Sequence, residues 1–129
     1  MPPMIKRGLW LLCFLVGCSS GDEVKIDYKV TFTDGANNDK GISDSGSFKT
    51  IQAPTSSKAL SGSMATLEIK SDMMTGLHFT VLEDGMRRGS LSCIAQPGAG
   101  SASANAEVST GGHYLILVNY KGARCIPEQ

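Results

Sequence analysis

Val24, Ile26, Tyr28, Val30 and Phe32 alternate with Lys25, Asp27, Lys29, Thr31 and Thr33. In an extended chain a period of two puts all apolar side chains on one side and all polar ones on the other. This segment is therefore a half-buried strand. The pattern returns over residues 64–70, where Ala65, Leu67 and Ile69 oppose Thr66, Glu68 and Lys70. It returns again where Leu77, Phe79 and Val81 oppose His78 and Thr80. Leu91, Cys93 and Ala95 carry a further strand, and no stretch has helical periodicity of useful length.

Punctuation between these segments is that of a β protein. Residues 34–45 are rich in Gly, Asn and Asp and read as a polar loop. Residues 46–52 read as a second strand, and residues 53–58, with Pro54, as a break. Asp84-Gly85 is a hairpin signal. Residues 97–105 are small and poor in core residues, so they read as flexible, with a short strand after them at Ala106 and Val108. Tyr114-Leu115-Ile116-Leu117-Val118 is apolar on both faces, which predicts a central, doubly covered strand. About seven short strands of this kind predict an all-β fold, a small antiparallel β-sandwich with the immunoglobulin-like variety as default. The tryptophan that marks true immunoglobulin domains is absent after residue 10.

The amino-terminal segment is of another kind. Lys6 and Arg7 precede the uncharged, mostly apolar residues 8–16, and Ser19-Ser20-Gly21-Asp22-Glu23 follows as a polar exit. The apolar run is shorter than the roughly 20 residues needed to cross a bilayer. Leu15-Val16-Gly17-Cys18 then resembles, position by position, the cleavage box of bacterial lipoprotein precursors. The resemblance implies a signal peptide over residues 1–17 and a diacylglycerol on the sulfur of Cys18. It also implies a lipidated tether over 18–23, followed by a folded domain over 24–129. Ser19 stands where an aspartate commonly holds Gram-negative lipoproteins at the inner membrane, so a Gram-negative source would favour the outer membrane. Two other readings stay open: a secretory leader cut near Gly17 or Ser20, and an uncleaved anchor. The later segments Tyr28-Lys29-Val30-Thr31 and Val81-Leu82-Glu83-Asp84-Gly85 are faintly similar to small membrane-linked β-sandwich proteins of mycobacteria that accompany lipid exporters. The lipobox departs from that group's usual anchor, and the mature domain is assigned to no family.

Without Lys6 and Arg7 the chain retains 10 basic and 12 acidic residues. Its only adjacent basic pair is Arg87-Arg88, which argues against nucleic acid as a partner. A polybasic run for membranes is also missing, which leaves the lipid to do the anchoring. With Cys13 in the leader and Cys18 lipidated, Cys93 and Cys125 remain as an even pair in an oxidising compartment. A disulfide there closes a loop of about 32 residues and stabilises by about 3 to 4 kcal/mol on the chain-entropy model. A metal pair and two free thiols are the alternatives, and the spacing resembles no zinc pattern.

Candidate chemistry is sparse. There is no Gly-x-Ser-x-Gly, and His78 and His113 are the only histidines. Both sit in predicted strands, His78 on a solvated polar face and His113 at a strand edge. Asp34, Asn37, Asn38, Asp39 and Asp44 offer oxygen ligands for calcium, but not at EF-hand spacing. Met64, Met73, Met74 and Met86 with His78 suggest copper, since thioethers suit Cu(I), yet methionine is more often core filler. Arg87-Arg88 beside Asp84 suggests an anion clamp or a solvated hairpin tip. Tyr28, Tyr114 and Tyr120 suggest a carbohydrate face or ordinary strand residues. The expected protein is an envelope lipoprotein, membrane-bound through its lipid. It acts as a binding or structural module toward an envelope protein or polymer, without catalytic residues, metal or cofactor. The second reading is a metal- or ligand-binding protein using the Asp/Asn loop or the methionines.

Overall fold

The computed structural model describes residues 23–128. The leader and Cys18 lie outside the described residues. Within them the chain is all-β, with seven strands: β1 (Lys25–Thr33), β2 (Asp39–Phe48), β3 (Ser56–Ala59), β4 (Ala65–Asp72), β5 (Gly76–Glu83), β6 (Met86–Glu107) and β7 (His113–Glu128). They form one antiparallel sheet in the order β2-β1-β7-β6-β5-β4-β3. Consecutive strands pair with one another except β2 and β3, which stand at opposite edges, and the first strand pairs with the last, β1 beside β7. The chain is thus a meander that returns to its own first strand, with β2 and β3 left as the two edges.

One sheet becomes two facing layers because its longest hairpin bends. The β6–β7 ladder steps from Ala95–Ala123 to Ala99–Lys121, leaving Gln96, Pro97 and Gly98 unpaired on one strand and Gly122 on the other. Pro97 lacks the N–H a ladder needs, so it belongs at such a bulge. Gly122 sits at φ 68°, and a Cβ there would lie 2.7 Å from the Glu23 carbonyl oxygen. The first half of β6 pairs with β5 and with the end of β7; its second half pairs only with the start of β7. Both halves turn their apolar side inward.

The alternation read from sequence sets what is inside. Ile26, Tyr28, Val30 and Phe32 of β1 meet Leu67 and Ile69 of β4, Leu77, Phe79 and Val81 of β5, and Tyr114, Ile116 and Val118 of β7 in one core. Full burial of such a side chain stabilises by about 1.5–3 kcal/mol. Tyr28 packs on Phe79 and Phe48 with ring centroids 5.1 and 5.9 Å apart, and Phe32 packs on Tyr114 at 4.6 Å. Cys93 and Cys125 face each other across β6 and β7, both buried, and are joined by a disulfide of 2.03 Å.

Side chains, not backbone, close the gap between the edges. Lys58 Nζ of β3 lies 3.6 Å from Asp44 Oδ1 of β2, and Asp44 Oδ2 accepts the Tyr28 hydroxyl at 2.8 Å. Ser43 and Ser61 meet through their hydroxyls at 2.9 Å. The Tyr114 hydroxyl donates to the Ser61 carbonyl at 2.7 Å, which pins the β3–β4 loop beneath the seam.

Five expectations change. The strand expected over residues 46–52 ends at Phe48. Residues 39–45 are strand, not loop, because β2 is an exposed edge and needs no apolar alternation. Ser56–Ala59 is a short strand where a break was expected. Residues 99–105 are ladder, not a flexible segment, since small side chains still supply backbone hydrogen bonds. The 114–118 run is central as expected, but Leu115 and Leu117 are only half-buried, so one face is covered rather than two.

Candidate functional site

The same parity that buries Leu67, Ile69, Phe79 and Leu91 pushes their neighbours onto the outer face of β4–β7. Strand register arranges them in two rows. Glu68 pairs with Thr80, Thr80 with Ser90, and Ser90 with Glu128. One step along, Lys70 pairs with His78, His78 with Ser92, and Ser92 with Ile126. The first row, with Lys70 and His78 of the second, lines an open polar groove of about 340 Å³ that also takes in Asp72, Thr75 and Arg87. The groove carries carboxylates and basic groups in equal number, with hydroxyls between them.

These side chains are tied to one another. Glu128 Oε1 accepts the Ser90 hydroxyl at 2.6 Å, and Ser90 Oγ meets Thr80 Oγ1 at 3.1 Å. His78 Nδ1 lies 3.3 Å from the same Glu128 oxygen, and His78 Nε2 lies 2.6 Å from Thr75 Oγ1. A carboxylate only accepts, so Nδ1 carries a proton toward Glu128, and Thr75 Oγ1 is the partner of Nε2. Burial raises the Glu128 carboxyl, but hydrogen bonds from Ser90 and His78, with the charge of His78 and Arg87, hold it below the usual range. Hydroxyl, imidazole and carboxylate thus stand in the order of a proton relay. His78 is partnered and half-buried, not solvated, and it is the centre of this network. The alternation places it on the right face; its partner from the far end of the chain is invisible to sequence.

Other candidates are dispersed. Asp34 accepts backbone N–H groups of Ala36 and Asn38 at 3.0 and 2.9 Å and faces Lys40 at 3.5 Å. Those bonds, chiefly that from Asn38, hold its carboxyl low. Asp39 caps the Gly41 N–H at 2.8 Å, and Asp44 belongs to the seam. The loop is therefore an Asx turn followed by a strand. Among the described residues no three His, Cys, Asp or Glu stand where they could hold a metal ion together. Met73 and Met74 project into solvent from the β4–β5 turn, while Met64 and Met86 lie at the opposite ends of β4 and β5. His78 finds Thr75 and Glu128 as its partners.

Arg88 does not clamp with Asp84. It meets the buried carboxylate of Glu83 at 3.1 Å, and Glu83 also accepts the Ser109 N–H and hydroxyl at 3.0 and 2.9 Å. Asp84 and Gly85, at φ 53° and 75°, make the hairpin turn that their sequence predicts. Tyr28 and Tyr114 point into the core and Tyr120 is half-buried, so the three tyrosines form no outward aromatic face. His113 opens β7 opposite Thr33 and Glu107.

Comparison with protein-family models, curated proteins and solved structures finds no match to this chain.

Proposed function

We propose that this chain is a lipid-anchored protein of the bacterial cell envelope that binds a polar envelope protein or polymer through the outer face of β4–β7. The groove built on the Glu68–Thr80–Ser90–Glu128 row carries the binding reading. Thr80, Ser90, Glu128 and His78 within it are held in place by mutual hydrogen bonds across strands. A rigid, open, polar surface suits an extended partner better than a small buried substrate, since small-molecule sites are concave and mostly apolar. The relay is shared out among its own members: Glu128 serves both Ser90 and His78, and Thr75 serves His78. This favours a fixed recognition surface over turnover.

The location rests on Leu15-Val16-Gly17-Cys18, and the oxidised Cys93–Cys125 pair is in keeping with export. Intact-mass measurement of the protein from membranes, beside Cys18→Ala, tests the anchor: the wild type carries acyl mass and the variant does not. For the partner, a photo-reactive side chain at Lys70 is compared in living cells with one at Lys29 on the opposite layer. A discrete adduct from Lys70 alone, lost with Glu68→Arg, supports the groove. Equal adducts from both positions refute it.

A further inference from the structure

We infer that the outer side of the β6–β7 bend is a second membrane contact that seats the domain on an anionic bilayer. The inference rests on the lipid-anchor reading above and adds a surface to it. Ile94 and Ile126 are 44% and 51% exposed, and with Ser92, Gln96 and Arg124 they line a shallow groove of about 210 Å³. Gln96 also lines the neighbouring hollow beside Val24, Pro97 and Gly122. The apolar patch is therefore continuous with the place where the chain comes into β1.

That place matters because Cys18 stands only five positions before Glu23. Five residues reach at most about 17 Å, so an acyl anchor on Cys18 keeps this end of the domain against the lipid. Ile42 lies apart from this patch, on the edge strand β2, whereas exposed Met73 and Met74 sit in the β4–β5 turn, whose Gly76 packs against Cys93 and Ile94. Charge agrees with the assignment. Lys25, which also meets Asp27 at 3.9 Å, pairs directly with Lys121, and Arg124 follows three residues later on β7 beyond the Gly122 bulge. These cations are scattered in sequence, and strand pairing brings them to one end. Each basic group near an anionic surface contributes on the order of 1 kcal/mol. Two isoleucines add a weak apolar term, which suffices for a domain already tethered, because tethering makes the second contact intramolecular.

Tryptophan quenching by brominated lipid tests this seat in the full chain. All variants carry Trp10→Phe, so that an introduced tryptophan is the only one. Ile126→Trp probes the patch and Ile42→Trp probes exposed β2. Protein purified from cells is returned to vesicles containing phosphatidylglycerol, and its mass and flotation are recorded. We expect acylated, floating protein in which bromolipid roughly halves the emission of the Ile126→Trp variant and leaves that of the Ile42→Trp variant nearly unaffected. Adding Lys121→Glu and Arg124→Glu should cut quenching of the patch probe about twofold or more. Acylated, floating protein with equal quenching of both probes overturns the seat and leaves the anchor standing. Unacylated protein that does not float overturns both. Unacylated protein that still floats, with the patch probe selectively quenched, supports the seat and refutes the anchor.

Discussion

His78 Nδ1 lies 3.3 Å from Glu128 Oε1, joining residues 50 positions apart in the chain. The pair ties the end of β7 to β5 across β6, and Ser90 of β6 donates to the same oxygen at 2.6 Å. A carboxylate held below its usual range stabilises the fold above its unfolded value of about 4.5. That contribution fades as pH falls through the lower folded value. Glu128→Ala should destabilise by about 1 kcal/mol at pH 7, the usual scale of such hydrogen bonds. Urea titrations should show the gap to wild type shrinking at pH 3. A gap that is the same at both pH values would contradict the assignment.

Glu83 makes a similar argument at the other end of β5. Ser109 supplies a backbone N–H and a hydroxyl to its carboxylate, and Arg88 supplies a charge. Together these outweigh burial and hold the carboxyl low. The stabilisation is complete above the ordinary value of about 4.5 and is lost as pH falls through the lower folded value, so acid loosens the β6–β7 connection. Glu83→Gln should lower the neutral melting temperature and flatten its fall between pH 5 and about pH 3. Scanning calorimetry across that interval is the measurement.

The Cys93–Cys125 bond closes the hairpin that contains the bend. Reduction, or Cys93→Ala with Cys125→Ala, should cost about 3 kcal/mol or more, part from the unfolded chain and part from two buried side chains. Guanidinium unfolding of oxidised and reduced protein gives the difference. Equal midpoints would mean that the bend holds without its staple.

Tyr28 joins β1 to β2 through Asp44, and Lys58 reaches both from β3. Burial, the Asp44 hydrogen bond and the Asp44 charge push the phenol far above its ordinary value, so it stays a donor at every physiological pH. Tyr28→Phe should keep the aromatic packing on Phe79 and lose about 1 to 2 kcal/mol. Amide exchange should rise along β2 and β3, the two edges at the seam, and stay unchanged in the β6–β7 ladder.

Legibility follows burial. β1, β4 and β5 are readable because one side of each faces the core and the other faces solvent, which forces period two. β2 and β3 are not, since an edge strand exposed on both sides is defined by its backbone bonds alone. The Pro97 region misleads because a strand of Ala, Gly and Ser has no hydrophobic signal, although its ladder with β7 runs on from Ala99 to Glu107. In the same way, parity puts His78 outside and Tyr28 and Tyr114 inside, but only the apolar neighbours of the tyrosines make that direction unambiguous.

Local sequence is enough for the all-β class, the apolar face of the main strands and the Asp84-Gly85 hairpin, all of which depend on spacing over a few residues. The Cys93–Cys125 bond, one of several readings of the cysteines in sequence, is decided by the structure. Other features exist only in three dimensions: the meander that closes β1 on β7, the bend at Gln96–Gly98 and Gly122, and the meeting of His78, Ser90 and Glu128. Such contacts bring together groups 38 and 50 residues apart. No local pattern encodes that distance; it follows from the register of the long β6–β7 ladder.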